Sequence, residues 1–242
     1  MSRGQRRHAN QARGQGLSTR AILLTLAAVI VLVGGGLAIY ALTSGGGSSS
    51  KSVAGIEEVD GALTGVTVKG DTLGDPQAPV LITEFADLRC PICKAYAQSE
   101  ALTVIDQLVR TGKARLRLRI WPILGADSVS AGKAAYAAQK QGTLWRFALL
   151  WYENQKDEKE TYATPAFYDP IAKAAGADVQ TFTRDRTSSA ATGWLQATST
   201  EATVEKFTGT PSFMVEGPKG KTAIVDRVPN AAGLAQLVKQ AT

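Results

Sequence analysis

Only two cysteines occur in the 242 residues, as Cys90-Pro91-Ile92-Cys93, at a point where the chain changes from strand to helix. Residues 80–86 (VLITEFA) are apolar on both faces and follow the turn signals Gly74-Asp75-Pro76 and Ala78-Pro79, which predicts a short buried strand. A helix is predicted over 91–111. Proline suits a first helical turn, where its missing N–H has no partner anyway, and Gly112 ends the helix. The apolar stripe Ala97, Ala101, Val104, Ile105 and Leu108, extended back one turn, reaches Cys93, which therefore points inward. Cys90 is expected exposed at the open N-terminal end, where unpaired N–H groups and the helix dipole favour an anion.

A pair with this spacing has three readings. As a metal site it supplies two thiolates where zinc takes four ligands, and the single histidine, His8, lies in a polar tail. As a structural disulfide it closes a loop too short to constrain the unfolded chain much, and only compartments outside the cytosol keep it oxidised. As a redox pair it uses an exposed first thiol activated by the helix N-terminus and a buried second thiol that resolves the mixed disulfide. The strand–CxxC–helix context favours the redox reading. One tail histidine also excludes a Ser–His–Asp triad, a His-ligated metal and a His general base from the folded part.

Residues 115–120 (RLRLRI) alternate and read as a second strand. Residues 127–207 are helical in character, with pieces at 131–141, 144–154, 165–175 and 188–206. Short strands follow at 213–215 and 223–225, and Asn230 can cap a last helix with its stripe at Leu234, Leu237, Val238 and Ala241. This order is α/β.

Of the formal charge of +6, residues 1–20 hold five as Arg3, Arg6, Arg7, Arg13 and Arg20, with no acid. The remainder balances 22 basic against 21 acidic side chains, so no nucleic-acid partner is expected. Residues 21–42 (AILLTLAAVIVLVGGGLAIYAL) carry no charge, and at about 1.5 Å per residue they reach roughly 33 Å, enough to cross a bilayer's hydrocarbon core. A buried core helix would show a polar face, and a cleaved signal peptide has a shorter apolar region. The run reads as an uncleaved signal-anchor helix over 21–43. Arginines before it, with only Lys51 close after it, make 1–20 a cytoplasmic tail and everything later extracytoplasmic, in a single-pass protein of the cell membrane. Residues 44–55 (SGGGSSSKSVAG) read as a flexible linker, and 56–242 as the exported domain.

Residues 85–94 (FADLRCPICK) resemble the active-site segment of DsbA-like thioredoxin-fold proteins, and Gly209-Thr210-Pro211-Ser212-Phe213 resembles their GTP-x-F cis-proline loop. The helical block, about 125–207 with Trp145 and Asn154-Gln155, resembles their inserted helical domain. The resemblance runs from Val66 to the C-terminus, about three quarters of the chain. It implies a thioredoxin fold with an inserted helical domain, here preceded by one transmembrane helix, and thiol:disulfide oxidoreductase activity without metal or other cofactor. On this resemblance Cys90 is the attacking or attacked thiol, Cys93 the resolving thiol, and Pro91 and Ile92 the active-site loop. Pro211 is the cis-proline facing the disulfide, and Thr210 offers backbone groups to an extended substrate peptide. Glu84 matches the family's buried acid, which helps move the proton of the resolving cysteine. From the residues alone Glu84 reads equally well as a strand-end acid reaching solvent.

The strongly oxidising members carry His between the cysteines where this chain has Ile92. Isoleucine donates neither a hydrogen bond nor a charge to a Cys90 thiolate, so a less depressed pKa and a less oxidising pair are expected. Arg89 and Lys94 flank the site and read either as charges that partly compensate for the missing histidine or, the commoner case, as solvated charges. The resemblance implies an extracytoplasmic oxidase that forms disulfides in exported polypeptides and is recharged by a membrane quinone-linked partner. The alternatives are a reductase or isomerase using the same pair, or a tethered peptide-binding or chaperone module with a structural disulfide. Dimeric isomerases add an N-terminal dimerisation domain, for which the stretch between linker and Val80 is too short.

Overall fold

The computed structural model describes residues 52–224 and 227–242. The basic tail, the expected anchor helix over 21–43, most of the linker and the Val225 end of the last expected strand lie outside the described residues. No helix among the described residues is long and apolar enough to cross a membrane.

The described chain begins with α1 (Ile56–Leu63) and two short strands, β1 (Val68–Lys69) and β2 (Thr72–Leu73). Then come β3 (Val80–Ala86), α2 (Pro91–Ala97), α3 (Glu100–Val104) with a π-helical turn at Ile105–Val109, and β4 (Ala114–Ile120). A helical block follows: α4 (Ala126–Lys140), α5 (Leu144–Asn154), α6 (Pro165–Ala174), α7 (Val179–Arg186) and α8 (Ser189–Val204). The chain closes with β5 (Ser212–Gly217), β6 (Gly220–Ile224) and α9 (Ala231–Ala241). The strands form one sheet in the order β1-β2-β4-β3-β5-β6, in which β3 and β4 are parallel and every other pair is antiparallel. This is a mixed α/β thioredoxin-like fold with the helical block inserted between β4 and β5.

The faces of β3 organise the molecule. Phe85 points to one side, where it meets Phe207 with ring centroids 5.1 Å apart, beside Met214 and Ala202 of α8. Val80, Ile82, Glu84 and Ala86 point to the other side. There Phe213, the cross-strand partner of Glu84, stacks on Tyr96 of α2 at 4.8 Å. The alternation in β4 has the same origin. Leu116, Leu118 and Ile120 are buried on the α2 side, while Arg117 and Arg119 reach Glu201 of α8 at 2.9 and 2.8 Å.

The single helix expected over 91–111 is broken. Ser99 leaves helical geometry (φ −132°, ψ −78°), and its hydroxyl donates back to the Ala95 carbonyl at 2.7 Å, a contact that competes with the helical ladder. A π turn follows, closed by Arg110 N–H donating to Ile105 O at 2.8 Å. The expected stripe nevertheless stays buried from Cys93 to Leu108, and Gly112 (φ 70°) stops the segment. Four elements, α1, β1, β2 and α7, were not anticipated as such. β1 and β2 are too short to show a period. α7 is polar apart from buried Phe182, and its one local signal is Asp178, whose carboxylate caps the Thr181 N–H at 2.8 Å.

Candidate active site

α2 starts at Cys90, which is its N-cap (φ −71°, ψ 122°), with Pro91 at the first helical position. The Cys90 sulfur accepts the Cys93 N–H at 3.4 Å, so the thiol itself fills the capping role usually taken by a hydroxyl or carboxylate. Both thiols are free. Cys90 is less open than the sequence suggests. Only 5% of the residue is exposed, because the Thr210 carbonyl lies 3.4 Å from its sulfur while Ile92 stands out at 55%. Thr210–Pro211 is a cis peptide, and it brings this carbonyl from the far end of the helical block onto the start of α2.

The two thiols have opposite electrostatics. The Cys90 pKa is lowered from 9.0 to about 6, first by a hydrogen bond from the Cys93 thiol, then by the Cys93 and Ile92 backbone and Thr210, against an opposing cost of burial. Helix-end donors contribute, but the neighbouring thiol contributes most. Cys93 is fully buried, and burial pushes its pKa well above the ordinary thiol value. The negative charges of Cys90 and Glu84 add to that rise.

Glu84 is 3% exposed, so it is the buried acid and not the strand-end acid reaching solvent. Burial alone raises its pKa from 4.5 to about 8. It lies on the face of β3 that meets α2, close enough to push up the pKa values of Cys93, Tyr96 and Tyr152.

Two residues of the segment before Cys90 have positions that sequence reasoning missed. Arg89 is not a solvated charge but 4% exposed. Its guanidinium pairs with Asp127 at the start of α4, donates to the carbonyls of Glu158 and Glu160, and lies 4.6 Å from the Tyr162 ring centre. Asp87 is fully buried and accepts four hydrogen bonds. A run Asp-x-Arg just before the cysteine is the only local sign of either. Lys94, also expected to be solvated, donates to Gln155 O at 3.2 Å, and Gln155 Nε2 donates to Leu88 O at 3.0 Å. The irregular segment after α5 is thereby tied to both ends of the CxxC loop. A cleft of about 470 Å³ lies here, lined by Pro91, Lys94 and residues 155–159. Among the described residues no group of three or more His, Cys, Asp or Glu side chains could hold a metal ion.

A family model described as Thioredoxin matches residues 67–228. The "Probable disulfide bond formation protein D" of Bacillus cereus is 30% identical over 151 residues, 60% of this chain and 69% of that one. The "Disulfide bond formation protein D" of Bacillus subtilis is 26% identical over 122 residues, 49% of this chain and 55% of that one. Among solved structures, a thioredoxin-like oxidoreductase from Silicibacter pomeroyi is 29% identical with a TM-score of 0.57, covering 73% of this chain and 91% of that one. Oxidised BdbD from Bacillus subtilis superposes with a TM-score of 0.64 at 19% identity, covering 71% and 92%, a likeness of fold.

Proposed function

Because the chain belongs to this thioredoxin family and is a DsbA-like thiol–disulfide oxidoreductase, we propose that Cys90 and Cys93 are its redox pair and that it works as an extracytoplasmic oxidase of exported polypeptides. The observation that carries the assignment is two free thiols three residues apart, the Cys90 sulfur capping α2 beside the Thr210 carbonyl and Cys93 fully buried behind it, an arrangement that lowers the first pKa and raises the second. A substrate thiolate attacks Cys90 Sγ of the oxidised pair, the S–S bond breaks, and Cys93 leaves as a thiolate that takes up one proton. A second substrate thiolate then attacks the substrate sulfur of the mixed disulfide. The substrate disulfide closes, and Cys90 leaves as a stabilised thiolate. Two electrons have passed to the enzyme.

Glu84, with its pKa near 8, is protonated at neutral pH and exchanges the proton that Cys93 gains or loses. Thr210, whose carbonyl meets Cys90, and Pro211, joined to it by a cis peptide, form the substrate-binding loop, where Thr210 offers an extended peptide its backbone groups. Pro91 and the exposed Ile92 form the rim that substrates meet. The uncharged run 21–42, led by five arginines, supports a signal-anchor helix with residues 1–20 cytoplasmic, a linker to residue 55, and the catalytic domain at 56–242 outside the membrane. A membrane quinone-linked oxidase recharges the pair.

The test is the reduction potential of the pair in the full chain, equilibrated with glutathione. A value between about −120 and −180 mV supports net disulfide donation. A value near about −270 mV refutes it in favour of electron delivery by a reductase or isomerase. A pair that glutathione cannot reduce refutes the redox assignment altogether and leaves a binding module with a structural disulfide.

A further inference from the structure

Asp87 stands between β3 and Cys90 with no exposed surface. One carboxylate oxygen accepts Arg89 N–H at 2.8 Å and Ser128 Oγ–H at 2.9 Å. The other accepts Ile123 N–H at 2.8 Å and Leu124 N–H at 3.1 Å. Its backbone carbonyl accepts Cys90 N–H at 3.0 Å and Tyr152 O–H at 3.3 Å. The donors come from the active-site loop, the loop after β4, α4 and α5. Burying a carboxylate costs several kcal/mol unless its lone pairs are taken up, and here four donors take them up although the one buried guanidinium nearby turns to Asp127. A stop to β3 alone would not need so many ties.

Cys93 is fully buried, which opposes negative charge on its sulfur, so its exchange with Cys90 depends on how the two sulfurs are held. The step between the Cys90–Cys93 disulfide and the mixed disulfide puts negative charge on this sulfur in both directions. Cys93 leaves as a thiolate when a substrate thiolate attacks Cys90 Sγ. In reverse, the Cys93 thiolate attacks Cys90 Sγ and expels the substrate thiolate, with no other oxidant or reductant involved.

We propose that Asp87 is the positioning residue for this step: its carboxylate, gripped by four donors, fixes the 87–90 turn, and its carbonyl, accepting the Cys90 N–H, holds Cys90 Sγ where Cys93 must meet it. This rests on the assignment of Cys90 and Cys93 as the redox pair. Loss of the grip slows exchange between the two sulfurs, which needs them aligned, and spares alkylation of Cys90, which needs only its thiolate and the donors of α2 that stabilise it.

The experiment uses the full chain, its Asp87→Asn form and its Ser128→Ala form, each carrying glutathione on Cys90 as a mixed disulfide. Release of glutathione by Cys93 reports the step, and alkylation of reduced Cys90 by iodoacetamide reports the first thiol. Losing one or more of these hydrogen bonds is expected to slow release about tenfold in Asp87→Asn and about threefold in Ser128→Ala, with alkylation changed less than about twofold. If release and alkylation fall together, or if release stays within about twofold of the parent while only the melting temperature drops, the role is merely structural and the proposal is overturned. Should Asp87→Asn not fold, Ser128→Ala decides alone by the same criteria. A Cys93→Ser chain that traps no glutathione on Cys90 overturns the redox pair itself, and is thereby distinguishable from failure of Asp87.

Discussion

Replacing Glu84 by Gln should make the protein more stable, and by an amount that depends on pH in a defined way. Burial raises the pKa of this acid from 4.5 to about 8. In the unfolded chain the ordinary value returns, so between these limits unfolding releases a proton. An acid with a raised folded pKa contributes its full stability below the unfolded value, here 4.5, and loses it as pH rises through the folded value, here about 8. Each pH unit in that window is worth about 1.36 kcal/mol. The interval from 4.5 to 7 therefore costs the parent about 3 kcal/mol, and the loss levels off at about 5 kcal/mol above pH 8. Glutamine has the shape of the neutral acid and does not titrate. Glu84→Gln is thus expected to be more stable by about 3 kcal/mol at pH 7 and about 5 kcal/mol at pH 9, and to match the parent at pH 4.5. The assay is urea unfolding of the reduced full chain at these three pH values, followed by tryptophan fluorescence. A gap that stays constant across the range refutes the argument, because it would mean that Glu84 does not carry the titration. The same variant should oxidise substrate thiols more slowly, since the departing Cys93 thiolate loses its proton donor.

Alkylation of Cys90 should rise with a midpoint near pH 6, so that its rate falls only about tenfold from pH 7 to pH 5, where an unperturbed thiol would lose about a hundredfold. Because this pKa is lowered, the reduced form gains stability from it above the unfolded value near 9 and loses that gain as pH falls through about 6, which urea unfolding of reduced Glu84→Gln with and without Cys90→Ser, at pH 5 and 8, can check free of the Glu84 titration. Arg89→Ala leaves Asp127 without its cation and frees the 158–160 segment. A loss of about 3–5 kcal/mol is expected in urea unfolding, with new proteolytic cutting at 156–160. Arg89→Lys should recover little of it, because one ammonium cannot serve the carboxylate and two carbonyls together. Gly74→Ala should cost more than about 1 kcal/mol, since φ is +106° and a Cβ there meets Val109 Cγ1 at 2.8 Å; an unchanged melting temperature would contradict this.

The strand at 80–86, the inward turn of Cys93, the stop at Gly112 and the Asn230 cap were legible because each depends on neighbours within one or two turns of chain. Asn230 Oδ1 accepts the Gly233 N–H at 2.8 Å, as its position predicts. The GTP-x-F motif marked a proline 121 positions from Cys90, and the cis Thr210–Pro211 peptide indeed delivers its carbonyl to that sulfur. The break at Ser99 was not legible. Ser99 is an ordinary helix residue unless its hydroxyl turns back to Ala95, and that choice depends on how α2 and α3 wrap the sheet. Arg89 was misread because a lone arginine beside an active site has no local partner. Its partners, Asp127 and the carbonyls of 158 and 160, arrive from across the inserted block.

By itself the sequence determined that two thiols open a helix behind a buried strand, with the second thiol on the apolar face. Hydrophobic spacing and a proline in the first turn suffice for that. It also determined that an uncharged run and a basic tail precede the domain. Tertiary structure alone decided which charges are buried and how the thiols titrate. Glu84 is protonated near neutrality because it is buried on the face of β3 that meets α2, and Cys90 is less exposed than its helix-end position suggests because Thr210 covers it. Asp87 became a hub only when the loop after β4 and the start of α4 converged on it. Desolvation and multiply bonded carboxylates depend on every chain segment that arrives at a point in space, and no window of sequence contains them.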